Sequence, residues 1–307
     1  MAKELKIIAF PGAPNLPVFA ALEHGHFAAE GLEVAFSTTP SSTFQFEKFG
    51  AGAFDIAFTA FDNIVAYQEG QGAVALPTPP DFRVIMGATQ VELSAVVVPA
   101  IERAEDLRGK SLALDAVGTG FAFVLYAMLE ELGLTMAEYE RVAVGATPDR
   151  WQSVKDGTHA GTITIEPFTS IARAAGFRVL RQSTEAFPAY QGGIVAVRQS
   201  WAEQNADRVK AFIRGYLKGL DWTLAPENRE QAAALLLVRM PEIKPGVVDK
   251  VLASVLSPRS GLTPRGEVLR YGMKTVLELR SRYGRPEKSL ADVDKYLALS
   301  FYQDAVA

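Results

Sequence analysis

The chain has 307 residues with a formal net charge of −4, and 49% of them are hydrophobic, so it is long enough for two domains that each bury a core. Its Lys and Arg residues are scattered, which excludes nucleic acid as the main partner, because phosphate binding needs clustered positive charge. No run approaches the roughly 20 apolar residues that span a bilayer, and the lack of cysteine removes disulfides, thiolate nucleophiles, Cys-ligated zinc and iron–sulfur clusters.

Strands alternate with helices from the start. Lys6 to Phe10 reads as a buried strand, broken by Pro11-Gly12-Ala13-Pro14. Asn15 is placed to cap a helix whose apolar face is Leu16, Phe19, Leu22 and Phe27, with Gly25 inside the pattern and Gly31 closing it. Leu32 to Phe36 alternates as a second strand, and Ser41 or Ser42 starts a helix ending near Gly50. Asp55 to Thr59 is a third strand, with Asp62 as the cap of a third helix. Strand–helix–strand–helix–strand order implies a mostly parallel sheet with right-handed crossovers.

Phe82 to Gln90 and Ser94 to Val98 are further strands, and the pattern then restarts. Ser111 to Leu114 is a strand, Gly118-Thr119-Gly120 a loop, and Phe121, Leu125, Met128, Leu129 and Leu132 mark a helix stopped by Gly133. Thr135 with Glu138 predicts a capping box and a short turn of helix. Val142 to Val144 is a strand, Pro148 opens a helix, Thr162 to Ile165 is a strand, Phe168 to Ala175 a helix, and Phe177 to Leu180 a strand. Gly192-Gly193 precedes a strand over Ile194 to Val197. Ser200 with Glu203 reads as a second capping box, and helical patterns run on to about Tyr283 with breaks near Pro226, Pro241, Pro245 and Pro258.

The reading is a two-lobed α/β protein with mostly parallel sheets flanked by helices. Lobe 1 is 1–91 plus 192–307 with the C-terminal helices, lobe 2 is 92–191, and the hinge falls near 91 and 191. Ligands of open α/β sheets sit beyond the carboxyl ends of the strands. That picks out the loops from Pro11 to Leu16, Thr59 to Asp62, Val117 to Phe121, Gly145 to Pro148 and Glu166 to Phe168.

Several motifs in these places resemble one family in order along the chain. Residues 16–34 (LPVFAALEHGHFAAEGLEV), 51–59 (AGAFDIAFT), 106–110 (DLRGK) followed by 118–121 (GTGF), 145–151 (GATPDRW) and 165–167 (IEP) are similar to the SsuA/TauA and NMT1/THI5-like substrate-binding proteins of ABC transporters. The resemblance covers about the first 200 residues. It implies a type 2 periplasmic-binding-protein fold, capture of a small solute between the lobes, an ABC permease as partner, a monomer, and a periplasmic location. The sequence displays no signal peptide after Met1, so a cytoplasmic location stays open.

Gly118-Thr119-Gly120 precedes a helix, so its N–H groups and the helix dipole suit a carboxylate, sulfonate or phosphate. A plain strand-to-helix turn is the alternative. It is no Walker loop, since no Gly-Lys-Ser/Thr follows. The expected ligand-binding set is Phe10, Pro11, Asn15, Leu16, Thr59, Phe61, Asp62, Thr89, Gly118, Thr119, Gly120, Phe121, Glu166 and Tyr190. Asp62 and Glu166 have competing readings as a helix cap and a hinge hydrogen bond. Phe10, Phe44, Phe61, Phe121, Phe168 and Tyr190 gather at the site loops, which favours an aromatic or heterocyclic solute. Arg150 is in reach of an anion, though a solvated or interlobe salt bridge is favoured for it.

No cofactor and no metal is expected. His24 and His26 lie two apart on one helical pattern and point to different sides. The rival class is an enzyme on the same fold. Thiamine-pyrimidine synthases of the yeast type resemble the family but carry a Cys-rich motif, and this chain has none. Small decarboxylases and menaquinone-pathway lyases share the fold and would need a positioned acid, base or metal. Asn15, Asp62 and Glu166 are the polar set available to them, with no His–carboxylate pair evident.

Overall fold

The computed structural model describes residues 3–307. In chain order the first group of elements is β1 (Lys3–Ala9), α1 (Leu16–Glu23), α2 (His26–Ala29), β2 (Leu32–Thr38), α3 (Ser42–Gly50), β3 (Ile56–Ala60), α4 (Phe61–Gln68) and β4 (Phe82–Thr89). Then follow β5 (Ser94–Val97), β6 (Ser111–Leu114), α5 (Gly120–Glu131), β7 (Glu140–Ala143), α6 (Thr147–Lys155), β8 (Gly161–Thr164), α7 (Phe168–Ala174), β9 (Arg178–Gln182) and α8 (Ser183–Ala186). The chain ends with β10 (Gly193–Arg198), α9 (Gln199–Gln204), α10 (Ala206–Leu224), α11 (Arg229–Arg239), α12 (Pro245–Val255), α13 (Arg270–Tyr283) and α14 (Ser300–Val306).

The strands form two five-stranded sheets, ordered β2-β1-β3-β10-β4 and β7-β6-β8-β5-β9. In each sheet four strands run the same way and one is reversed. The reversed strands are β10, antiparallel to β3 and β4, and β5, antiparallel to β8 and β9. Each is the strand by which the chain enters that sheet from the other, so the two crossings account for both departures from a parallel sheet. The crossings touch. Gly192 N–H donates to the Gln90 carbonyl at 2.9 Å, and Val91 beside it holds a positive φ of 61°. That conformation is strained for a β-branched residue.

Two large apolar cores sit on opposite faces of the first sheet. One packs α1 and α10 on β1, β3 and β10 through Leu16, Phe19, Ile213 and Tyr216. The other is continuous across both sheets: Phe61 and Ile64 of α4, Phe123 and Met128 of α5, and Met273, Val276 and Leu277 of α13 belong to a single buried cluster. Helix α13 packs against both α4 and α5. Among the described residues no helix is long and apolar enough to cross a membrane.

Local readings fail where a side chain has a better partner elsewhere. Asn15 does not cap α1; a short 3-10 turn over Ala13–Asn15 precedes the helix, and Asn15 donates instead to the Phe10 carbonyl at 2.8 Å. The helix predicted through Gly25 breaks there, because Gly25 is left-handed with φ 68°, giving α1 and α2. The break brings His24 and His26 to 5.9 Å between ring centroids instead of opposite sides. Asp62 is not the cap of α4, which starts one residue earlier at Phe61. Thr135 and Glu138 do bond, at 2.8 Å, but close a turn and no helix. Ser200 caps nothing; its N–H donates to Asp81.

Candidate functional site

The carboxyl ends of the two sheets face each other across a cleft. It holds about 820 Å³ of empty space, counting the mouth open to solvent. Phe10, Asn15, Thr59, Thr89, Thr119, Gly120 and Phe121 of the expected set line it. They come from the ends of β1, β3 and β4 on one side and from the start of α5 on the other.

The remaining expected residues lie elsewhere, each for a definite reason. Leu16 and Phe61 are fully buried and belong to the two cores. Pro11 is half-buried outside the cavity lining. Tyr190 is buried in the α4–α5–α13 core, with no hydrogen-bond partner for its hydroxyl among the described residues. Gly118 turns its carbonyl to Arg280 of α13, which donates at 2.8 Å. Asp62 forms a two-pronged ion pair with the same guanidinium, Nε to Oδ1 at 2.5 Å and Nη2 to Oδ2 at 2.6 Å, both residues being 1% exposed. Glu166 accepts from the Ser170 N–H at 3.2 Å and hydroxyl at 2.9 Å, at the start of α7. Burial pushes its carboxyl up to about 7, against the downward pull of those bonds. Of the other aromatics singled out, Phe168 packs with Trp151 in a small separate core and Phe44 lies half-buried against the α4–α5–α13 core.

The lobes are in close contact at Gly120: a Cβ built there falls 2.4 Å from Asp62 Cβ and Cγ, so a larger residue forces one side to shift. The first N–H groups of α5 have no intrahelical acceptor, and its positive end opens on the cleft through Thr119, Gly120 and Phe121.

Arg150 differs from its sequence expectation. It is neither solvated nor in an interlobe salt bridge: it is 2% exposed and pairs with no carboxylate among the described residues. Four of its five N–H donors go to neutral oxygens, the carbonyls of Gly145 (2.6 Å) and Ile163 (3.0 Å) and the hydroxyls of Thr147 (3.0 Å) and Thr162 (3.2 Å). Desolvation lowers it to about 10, with the Asp115 charge acting the other way, so it stays cationic at neutral pH. Asp115 lines the cleft too, and its carboxylate accepts the Ser42 N–H at 3.1 and 3.2 Å from across the gap. Phe58, Asn63, Val91, Thr147, Ile165 and Ile194 add to the wall, with glycine, alanine and proline residues between them. Thr147 follows from the loop predicted over Gly145 to Pro148. Phe58 and Ile194 have no sequence signal that separates them from core strand residues.

Asp115 and Arg150 are the ionisable side chains of this lining. No group of three or more His, Cys, Asp or Glu side chains among the described residues can hold a metal ion.

Two facing sheets, a double chain crossing and a cleft at the strand ends define the two-lobed periplasmic-binding-protein fold. The family described as "NMT1/THI5 like" matches residues 14–229, and the chain belongs to that family. None of the curated proteins matches the sequence. Among solved structures, the periplasmic nitrate-binding protein NrtA from Synechocystis PCC 6803 superposes with a TM-score of 0.80 at 13% identity, over 99% of this chain and 88% of that one. The periplasmic aliphatic sulphonate-binding protein SsuA from Escherichia coli gives 0.67 at 19% identity, over 97% and 92%. A mutant of DSZB in complex with biphenyl-2-sulfinic acid gives 0.67 at 12% identity, over 100% and 99%.

Proposed function

We propose that this chain is the solute-binding component of an ABC importer and that its cleft captures a small organic anion with a flat apolar body. The observation that carries the reading is Arg150, a buried cation in the cleft wall whose described partners are all neutral. Asp115 and Asp149 act on it only through space, and a buried charge without a direct ion pair is costly. A bound carboxylate or sulfonate supplies that direct partner, and the N-terminus of α5 adds its dipole. Phe10, Phe58, Phe121, Val91 and Ile194 offer the apolar walls for a ring.

Capture without conversion agrees with the same lining. General acid–base chemistry needs a group that trades its proton near the working pH. Arg150 keeps its proton, Asp115 is engaged with Ser42 and Asp62 is paired to Arg280, while Glu166, the carboxyl that burial raises to about 7, lies outside the cavity lining and is bonded to Ser170. The reading carries with it lobes of 1–91 plus 192–307 and of 92–191 hinged near 91 and 191, a periplasmic location, a monomer and a permease partner. Its basis is family membership together with the nitrate- and sulphonate-binding names of the fold neighbours.

The test is a thermal-shift screen of aromatic carboxylates, sulfonates and pyrimidines, followed by mass spectrometry of the recovered hit. Binding to the folded state alone raises the melting temperature. A stabilising anion recovered unchanged is the expected result; a hit converted to product overturns the binder reading.

A further inference from the structure

We infer that Asp115 is a positioning residue that latches the mouth of the cleft shut, and that Arg150 braces the second half of the same latch. The effect of a bound anion on this latch rests on the binding reading above; the latch itself does not.

Sheet order decides where the mouth is. The chain crosses between sheets beside β4 and β10 of one and β5 and β9 of the other. The opposite edges, β2 and β7 with β6 next to it, carry no chain connection. Two direct contacts join these edges, while elsewhere between the lobes the Ala13 N–H donates to the Glu166 carbonyl at 3.1 Å and α12 packs against α7. The Asp115 carboxylate, just past β6, takes the Ser42 N–H in the first turn of α3 with both oxygens, at 3.1 and 3.2 Å. The Ala146 N–H, just past β7, donates to the Pro40 carbonyl at 2.8 Å.

Both contacts are built for the closed arrangement. A negative charge at the positive end of a helix is favourable beyond the hydrogen bond alone. Gly145, next to Ala146, has φ 126°, and a Cβ there would lie 2.9 Å from the Pro40 oxygen. The Gly145 carbonyl is in turn held by Arg150 at 2.6 Å. One guanidinium therefore fixes the peptide that presents the Ala146 N–H, and it lines the solute cleft as well. The Ser42 hydroxyl is buried here with no partner among the described residues, a cost that the charged bond to Asp115 at the same residue must offset. The closed form is thus poised, and occupying Arg150 with an anion stiffens its brace.

The experiment is single-molecule energy transfer on the full chain without solute. The sequence has no cysteine, so Glu33→Cys on β2 and Glu140→Cys on β7, both exposed, take the dye pair uniquely and report the mouth. Loss of a hydrogen bond to a charged group predicts that Asp115→Ala lowers the closed-to-open ratio about tenfold. Asp115→Asn, which keeps an oxygen acceptor, is expected to fall between. A parallel melt by circular dichroism separates opening from unfolding. A parent protein with no closed population, or an Asp115→Ala protein with the parent's ratio, overturns the latch. Because no solute is present, that failure leaves the binding reading untouched, and a failed solute screen leaves this result standing.

Discussion

The two sides of the cleft are joined by different physics. On one side α4, α5 and α13 share a continuous apolar core, and the buried Asp62–Arg280 pair sits against it with the guanidinium 4.7 Å from the centre of the Phe123 ring. At the mouth the edges meet through Ser42–Asp115 and Ala146–Pro40 alone among direct backbone-anchored contacts described there. Apolar contact is lost in full when water enters, whereas a polar contact is largely exchanged for one with water. The contrast predicts a molecule that opens at its polar edge while the seam along α13 stays closed.

The largest expected effect comes from breaking the seam. Removing one partner of a buried ion pair strands the other charge, so Arg280→Met should cost about 3–5 kcal/mol. Chemical denaturation reads this, and a loss under about 1 kcal/mol would mean that water reaches the pair. Gly120→Ala pushes a methyl into Asp62 and should cost about 1–3 kcal/mol by the same assay. An unchanged midpoint would show that the lobes separate there without penalty.

Glu166 gives a smaller, pH-dependent effect beside the cleft. The folded chain holds its proton up to about 7, while the unfolded chain releases it near 4.5. Between those values the unfolded state binds fewer protons, so this group lowers stability as pH rises from about 4.5 to about 7 and contributes no slope outside that window. Glu166→Gln should remove that slope and stabilise the protein at pH 8 by on the order of 1–2 kcal/mol. Denaturation midpoints at pH 5 and 8 for both proteins decide it, and parallel shifts contradict it. The smallest effect belongs to the mouth. Asp115→Ala should change global stability by less than about 1 kcal/mol, since its bond returns to water on opening, and a loss matching that of Arg280→Met would erase the contrast.

The strand and helix order was legible because it is written in local patterns: apolar runs, glycine stops and the Ser41 cap, whose hydroxyl does accept the Phe44 N–H at 3.1 Å. The cleft was legible at the level of strand ends, which is why Phe10, Thr59, Thr89 and Thr119 fell into it. Partners distant in sequence were not. Asp62 looked like a cap or a ligand contact because Arg280 is 218 residues away. Arg150 looked like a surface residue because its four acceptors come from the loop before α6, from the start of α6 and from β8, which only the folded sheet brings together. The reversed strands β5 and β10 were equally hidden, since an apolar strand carries no mark of its direction.

The most direct test of Arg150 as the anion's counter-charge is a calorimetric titration of the best stabilising anion into the parent chain and into Arg150→Met. The expected result is one site per chain and a loss of about 100-fold in affinity with the variant, the size expected when a buried charge pair loses one member. Equal affinity for the two proteins would contradict it.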